Sequence, residues 1–258
     1  LDFERKILVK KNAPELLEQK LRNPNWQGHT IVFSGNTDCY QPIEKKLEIT
    51  RECLKRMFRY KNPTGIITKN ALILRDLDIL KEMAQYQIIS VNISITTLQE
   101  ETRRILEPRT ASIKNRLKTV AVLSENGIPV NVMIAPVIPA LNSHEILPII
   151  QKVASLGALG VSHTVVRLNG QIASIFEDWV RKTIPDRAER ILHQIAECHD
   201  GKLNDSRWGK RIKGDGVVAK QIADAMTLGR KKYLHNKGMP SLERSHFLQL
   251  RNPQYKLF

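Results

Sequence analysis

A chain of 258 residues with 41% hydrophobic and 26% charged residues has the composition of a folded protein, long enough for one α/β barrel or two small domains. Its formal net charge of +15, with 13 Lys/Arg against 4 Asp/Glu in residues 201–258, favours polyanions such as nucleic acid as partners. No apolar run is long enough to cross a bilayer, and three widely separated cysteines, Cys39, Cys53 and Cys198, argue against a disulfide framework and for a reducing compartment, the cytoplasm.

The first residues, Leu1 to Lys10, read as the middle of a longer protein, so an upstream segment is expected to be missing. Leu16, Leu17 and Leu21 behind Pro14 predict a helix over 13–21. Thr30-Ile31-Val32-Phe33 predicts a buried strand that breaks at Ser34-Gly35-Asn36-Thr37-Asp38. Ile43, Leu47, Leu54, Met57 and Phe58 predict one helix over 43–60. A strand over 64–67 runs into Thr68-Lys69-Asn70, and Leu74, Leu77, Leu80 and Met83 predict a helix over 71–86. A strand over 89–93 ends in Ser94-Ile95-Thr96-Thr97, and a helix over 113–126 stops at Gly127. The strand over 130–134 runs into Ala135-Pro136; Ser143 is expected to cap the next helix, which Gly157 closes. The last strand, 161–166, ends in Arg167-Leu168-Asn169.

After Asn169 the alternation stops. Helices are expected over 174–181, 187–199 and 218–234, with a basic, glycine-containing segment over 202–216 and an extended or loose tail from Asn236. Short apolar strands alternating with helices mean a parallel sheet covered on both faces. The fold class is α/β: a partial (β/α) barrel over 1–170 followed by a helical, basic extension over 171–258. Five polar strand ends would then face one mouth, where such barrels keep their chemistry.

The strand ends supply the candidate groups. Thr37 and Asp38 offer hydroxyl and carboxylate to an ammonium, or Asp38 caps the helix near Pro42. Lys69 is a point charge for a carboxylate or phosphate. Ser94 and Thr96 alternate onto one side of their strand, or bond their own backbone in a turn. Arg109 can fork onto an anion, or pair internally with Glu107 or Glu101. Arg167 and Asn169 point toward a substrate, while His163 reads as a core histidine. Lys210 and Arg211, with Lys213 beside Trp208, form either a phosphate clamp or a linker that packs Trp208 on the barrel.

In order and spacing, Thr37-Asp38-Cys39-Tyr40-Gln41-Pro42-Ile43-Glu44, Thr68-Lys69, Leu106-Glu107-Pro108-Arg109-Thr110 and the runs Leu72 to Asp78 and Ala135 to Asn142 resemble the radical S-adenosylmethionine (radical SAM) superfamily, in its spore photoproduct lyase-like branch. The resemblance extends from Leu1 to about Leu234. It implies S-adenosylmethionine (AdoMet) and a 4Fe-4S cluster as cofactors, an electron donor as partner and a lyase-like radical reaction, with nucleic acid as the expected substrate class. It places the methionine amino group at Thr37 and Asp38, its carboxylate near Lys69, and ribose and carboxylate contacts at Ser94 and Thr96; Arg109 joins this cofactor set. Ile134 and Ala135 would lie against adenine, and Arg167, Asn169, Lys210 and Arg211 would face the substrate. The family's C-x-x-x-C-x-x-C loop is absent, so the cluster ligands are expected before residue 1 and no metal ligand is expected here. The competing reading is a barrel without catalysis that binds nucleic acid or a partner through its basic last third.

Overall fold

Runs rich in Val and Ile become strands because branched side chains pack well on a sheet covered from both sides. In the computed structural model, which describes residues 6–251, they are β1 (Ile31–Phe33), β2 (Thr64–Thr68), β3 (Ile89–Ser94), β4 (Val130–Val137) and β5 (Gly160–Val165). They form one sheet in the order β1-β2-β3-β4-β5. Pairing is parallel, with Ile31 opposite Thr64 and Val132 opposite Val161. The α/β class follows: β1 is one residue shorter than its expected run, β2 and β3 one longer, β5 displaced by one, and β4 continues through Pro136 to Val137.

By packing, the chain divides into two units. One takes in the residues up to Val91 and those from Pro240 on; the other runs from Asn92 to Met239. This division cuts through β3, whereas the boundary expected near residue 170 marks the end of strand–helix alternation.

In the first unit, the helix expected over 43–60 is two, Glu44–Leu47 and Ile49–Arg59, with Glu48 left-handed between them at φ 51°. Glu44 stitches the break. Its carboxylate accepts from the Thr50 backbone N–H at 3.0 Å and from Arg75 at 2.9 Å, while the Thr50 hydroxyl donates to the Cys39 carbonyl at 2.6 Å. The helix expected over 71–86 opens as a 3₁₀ turn, Ala71–Asp76, capped by the Asn70 side chain, and becomes α-helical only over Leu77–Gln85. The tighter turn places the fully buried Asp76 where Tyr40, Arg51 and Arg75 all donate to it, at 3.0, 2.9 and 2.8 Å. The tail, expected to be loose, carries the helix Ser245–Arg251. Its Phe247 is buried against Gly28, where a Cβ would stand 2.6 Å from the ring. Arg251 donates to the carbonyls of Arg22 and Pro24, each at 3.2 Å, and also to those of Asn23 and Trp26.

In the second unit, helices Glu100–Leu106, Ile113–Glu125 and Ile146–Ser155 are followed by Gln171–Thr183, Ala188–Glu197 and Gly216–Tyr233. Ser143 does not cap the third of these; a 3₁₀ turn, Ser143–Glu145, precedes it. Side chains also join the strands: Asn131 Nδ2 donates to Asn92 at 2.8 Å and to Ser162 at 2.9 Å, linking β3, β4 and β5. Beyond β5 a separate apolar cluster, including Leu168, Val180, Ile191 and Ile195, holds the extension's first helices. Among the described residues no helix is long and apolar enough to cross a membrane.

Candidate functional site

The loop after β1 is built around Asp38. Its Oδ1 accepts from the Tyr40 backbone N–H at 2.9 Å and the Thr68 hydroxyl at 2.7 Å; its Oδ2 accepts from the Lys69 backbone N–H at 2.8 Å. The carboxylate thus ties the ends of β1 and β2 together. A carboxylate offers about four acceptor sites, so one remains. Ser34, left-handed at φ 81°, turns its hydroxyl oxygen back to accept from the Cys39 N–H at 2.8 Å. Thr37 is exposed and Lys69 half-buried. A cavity of about 630 Å³ opens beside the loop, lined by Phe33, Thr37, Asp38, Leu16, Leu17 and Cys53 among others.

Burial pushes the thiols of Cys39 and Cys53 up to about 12 and that of Cys198 up to about 11. Cys39, on the loop after β1, and Cys53, in the middle of helix Ile49–Arg59, line the same cavity, but Cys198 closes helix Ala188–Glu197 and is not among its lining residues, so three thiols do not converge. The cysteines of this chain do not fit a 4Fe-4S cluster, and among the described residues no three His, Cys, Asp or Glu side chains group as metal ligands.

At the end of β3 the central group is one the sequence reading did not single out, Arg116. Its side chain has no exposed surface. It pairs with Glu107 at 2.7 Å and donates to the carbonyls of Ser94 and Ala111, each at 3.0 Å, and to the Thr110 hydroxyl at 2.5 Å. Glu107 in turn accepts from the Thr96 hydroxyl at 3.2 Å. Ser94 and Thr96 are buried and Arg109 is exposed on the same turn. Thr97 is spent differently: it donates to Glu145 at 2.5 Å and accepts from the Gln99 N–H at 3.0 Å. Asn142, fully buried, accepts from the Ile138 N–H at 2.7 Å and donates to the carbonyls of Thr96 at 2.8 Å and Pro136 at 3.1 Å. It joins the ends of β3 and β4. Ile134 is fully buried and Ala135, in a cis peptide with Pro136, half-buried.

At the end of β5, Arg167 and Asn169 are exposed. The N–H groups of Val165 and Leu168 donate to the carbonyls of Ile212 and Leu203, each at 2.9 Å, so the basic segment lies alongside this strand end. Trp208 does not pack on the barrel, the packing that a plain linker would show: it is 87% exposed, with the Arg211 guanidinium 4.9 Å from its ring centre. Lys210 pairs with Asp215, and Arg207 with Asp205 at 2.6 Å. His163 is half-buried with Nε2 lacking a hydrogen bond; burial, then Arg230 and Lys213, holds its pKa below the usual histidine value.

The profile of the radical SAM superfamily matches residues 4–153. The chain belongs to the radical SAM superfamily. The chain is 29% identical over 191 residues to an uncharacterized protein of Mycobacterium bovis, covering 73% of this chain and 56% of that protein. It is 33% identical over 135 residues to an uncharacterized protein of Methanocaldococcus jannaschii, covering 52% and 49%. The chain therefore spans about half the length of these relatives. In fold it is similar to a spore photoproduct lyase variant with bound AdoMet and dinucleoside spore photoproduct, with TM-score 0.56 and 18% identity over 79% of this chain and 58% of that one. A second spore photoproduct lyase variant gives TM-score 0.60 at 16% identity, covering 88% and 65%.

Proposed function

We propose that this radical SAM chain is part of an enzyme that binds AdoMet at its strand ends and acts on nucleic acid. The observation that carries the reading is the superfamily match over residues 4–153, coinciding with polar groups at the ends of β1, β2 and β3. AdoMet, when bound and reduced by one electron, supplies a 5′-deoxyadenosyl radical that removes a hydrogen atom from the substrate. Its cluster thiolates are not Cys39, Cys53 or Cys198, and in this reading they and the electron donor come from elsewhere.

In this reading each residue takes the role its side-chain chemistry suits. The remaining acceptor site of Asp38, with the exposed Thr37 hydroxyl beside it, takes the ammonium. In this reading Lys69 and Arg109 supply positive charge for carboxylate oxygens. The Thr96 hydroxyl donates a hydrogen bond to Glu107, so in this reading its oxygen accepts from a ribose hydroxyl, with Ser94 adjoining. Ala135 offers an apolar surface to adenine, backed from the core by the fully buried Ile134. On the substrate side, Arg167, Asn169, Lys210 and Arg211 meet phosphate and base. An indole left in water beside a guanidinium is a stacking surface, and base stacking on such a side chain contributes about 1–3 kcal/mol. That one of the structurally similar proteins holds dinucleoside spore photoproduct agrees with this substrate class.

The test is calorimetric titration of AdoMet together with anisotropy of a labelled DNA duplex at several salt concentrations. Asp38→Ala and Lys69→Ala are expected to weaken AdoMet about tenfold or more, equivalent to about 1.4 kcal/mol. Trp208→Ala with Arg211→Ala is expected to weaken DNA by a similar factor and leave AdoMet unchanged. DNA affinity should fall steeply with salt. AdoMet binding that ignores both strand-end variants, or DNA binding independent of salt, would overturn the assignment.

A further inference from the structure

Arginines in this protein are largely spent internally: Arg51 on Asp76 and Asp78, Arg75 on Glu44, Arg116 on Glu107. Three lysines of the second unit are not. Lys114, Lys118 and Lys152 are exposed and have no ion pair among the described residues. All three border one groove of about 670 Å³, floored by Leu98, Leu117, Ala121 and Leu156. Helix Ile113–Glu125 carries Lys114 and Lys118 four residues apart, and Leu117 and Ala121 four residues apart, so a cationic rail and an apolar floor run side by side along its axis. Lys152, near the end of helix Ile146–Ser155, and Leu156, just beyond it, form the opposite wall.

The acid in the groove does not cancel this rim. Glu100 accepts from the Ile113 backbone N–H at 3.1 Å and from Arg103 at 2.8 Å, and the backbone bond first, then the guanidinium, holds its carboxyl below the usual range. Arg104 stands 3.8 Å from the same carboxylate and adds a further cation to the wall. The groove is thus positive at its edges and apolar at its base.

We propose that this groove docks an acidic amphipathic helix of a partner protein. Apolar side chains at i, i+3 and i+4 of that helix cover Leu117, Ala121 and Leu156, and its flanking carboxylates reach Lys114, Lys118 and Lys152. The floor decides between occupants. A phosphate backbone would satisfy the lysines and leave the leucines wet, whereas an amphipathic helix satisfies both. A flat bilayer does not enter a concave groove. The inference is independent of AdoMet binding.

The probe is a labelled synthetic peptide of about 18 residues, five helical turns, built of Leu, Ala and Glu with one apolar face, its binding to the full chain followed by fluorescence anisotropy. Micromolar binding is expected. Lys114→Glu combined with Lys118→Glu, and separately Leu117→Gln, should each weaken it at least about tenfold with circular dichroism unchanged. A scrambled peptide of the same composition, with no apolar face, should bind at least about tenfold more weakly. Equal binding of the scrambled peptide, indifference to Leu117→Gln, or no binding of the patterned peptide overturns the proposal. So does binding of labelled duplex DNA that competes with the peptide on the parent chain and is itself lost on the two lysine changes, which would make the groove a nucleic-acid site.

Discussion

At the end of β2 the chain is held by Asp38, which accepts from one hydroxyl and two backbone N–H groups and stays half-buried; at the end of β3 it is held by Glu107, whose carboxylate lies 2.7 Å from a guanidinium with no exposed surface. Water can stand in for the neutral donors around Asp38. It cannot reach Arg116. The first strand end can therefore rearrange around a ligand at modest cost, while the second is a dry frame whose parts depend on one another.

Removing one member of a buried pair leaves an uncompensated charge, so Arg116→Met is expected to cost about 3–5 kcal/mol by urea denaturation. Changing Glu107→Met in the same chain should recover much of that loss, and a single-variant cost under about 1 kcal/mol would erase the contrast. A smaller effect is expected at Asp38. Asp38→Asn keeps the shape but turns an amide donor toward one of the donors that now bond it, costing about 1–3 kcal/mol in the same assay. A cost equal to that of Arg116→Met would show that both strand ends are equally rigid.

The smallest effect lies at the solvent side of the first unit. Arg51 bonds Asp78 and, against some desolvation, holds its carboxyl down to about 2, below the ordinary 3.8. A depressed carboxyl stabilises the fold above its unfolded pKa and loses that contribution as pH falls through the folded value. Thermal midpoints of the parent and Asp78→Asn should therefore differ at neutral pH and converge as pH drops from 3.8 toward about 2. Asp78 is largely exposed, so the gap should be small. A gap that persists below pH 2 would remove the ion pair as its cause.

The strands were legible because a short Val/Ile run bounded by polar turn residues has one main use in an α/β chain. Arg116 was legible in principle: Ile113, Arg116, Val120 and Leu123 share one buried helix face, and a charge inside that stripe announces a buried partner. It is easily passed over because Leu117, one position on, continues an apolar pattern without it. The breaks at Glu48 and at residues 71–76 were hidden because Glu44 and Asp76 impose them through partners far along the chain, and no local periodicity records such partners. Trp208 could be read either way; its exposure follows from a segment fastened by backbone bonds at Leu203 and Ile212, on either side of it.

Gly28 sits in the left-handed region at φ +66°, and the space where its Cβ would stand is filled by the Phe247 ring. Any other residue there meets two obstacles at once, its own backbone and a neighbour more than two hundred positions away. Sequence drift at this position is thus blocked twice. The closing helix has as its keyhole a single missing methyl group, so a one-letter change early in the chain would unseat its end.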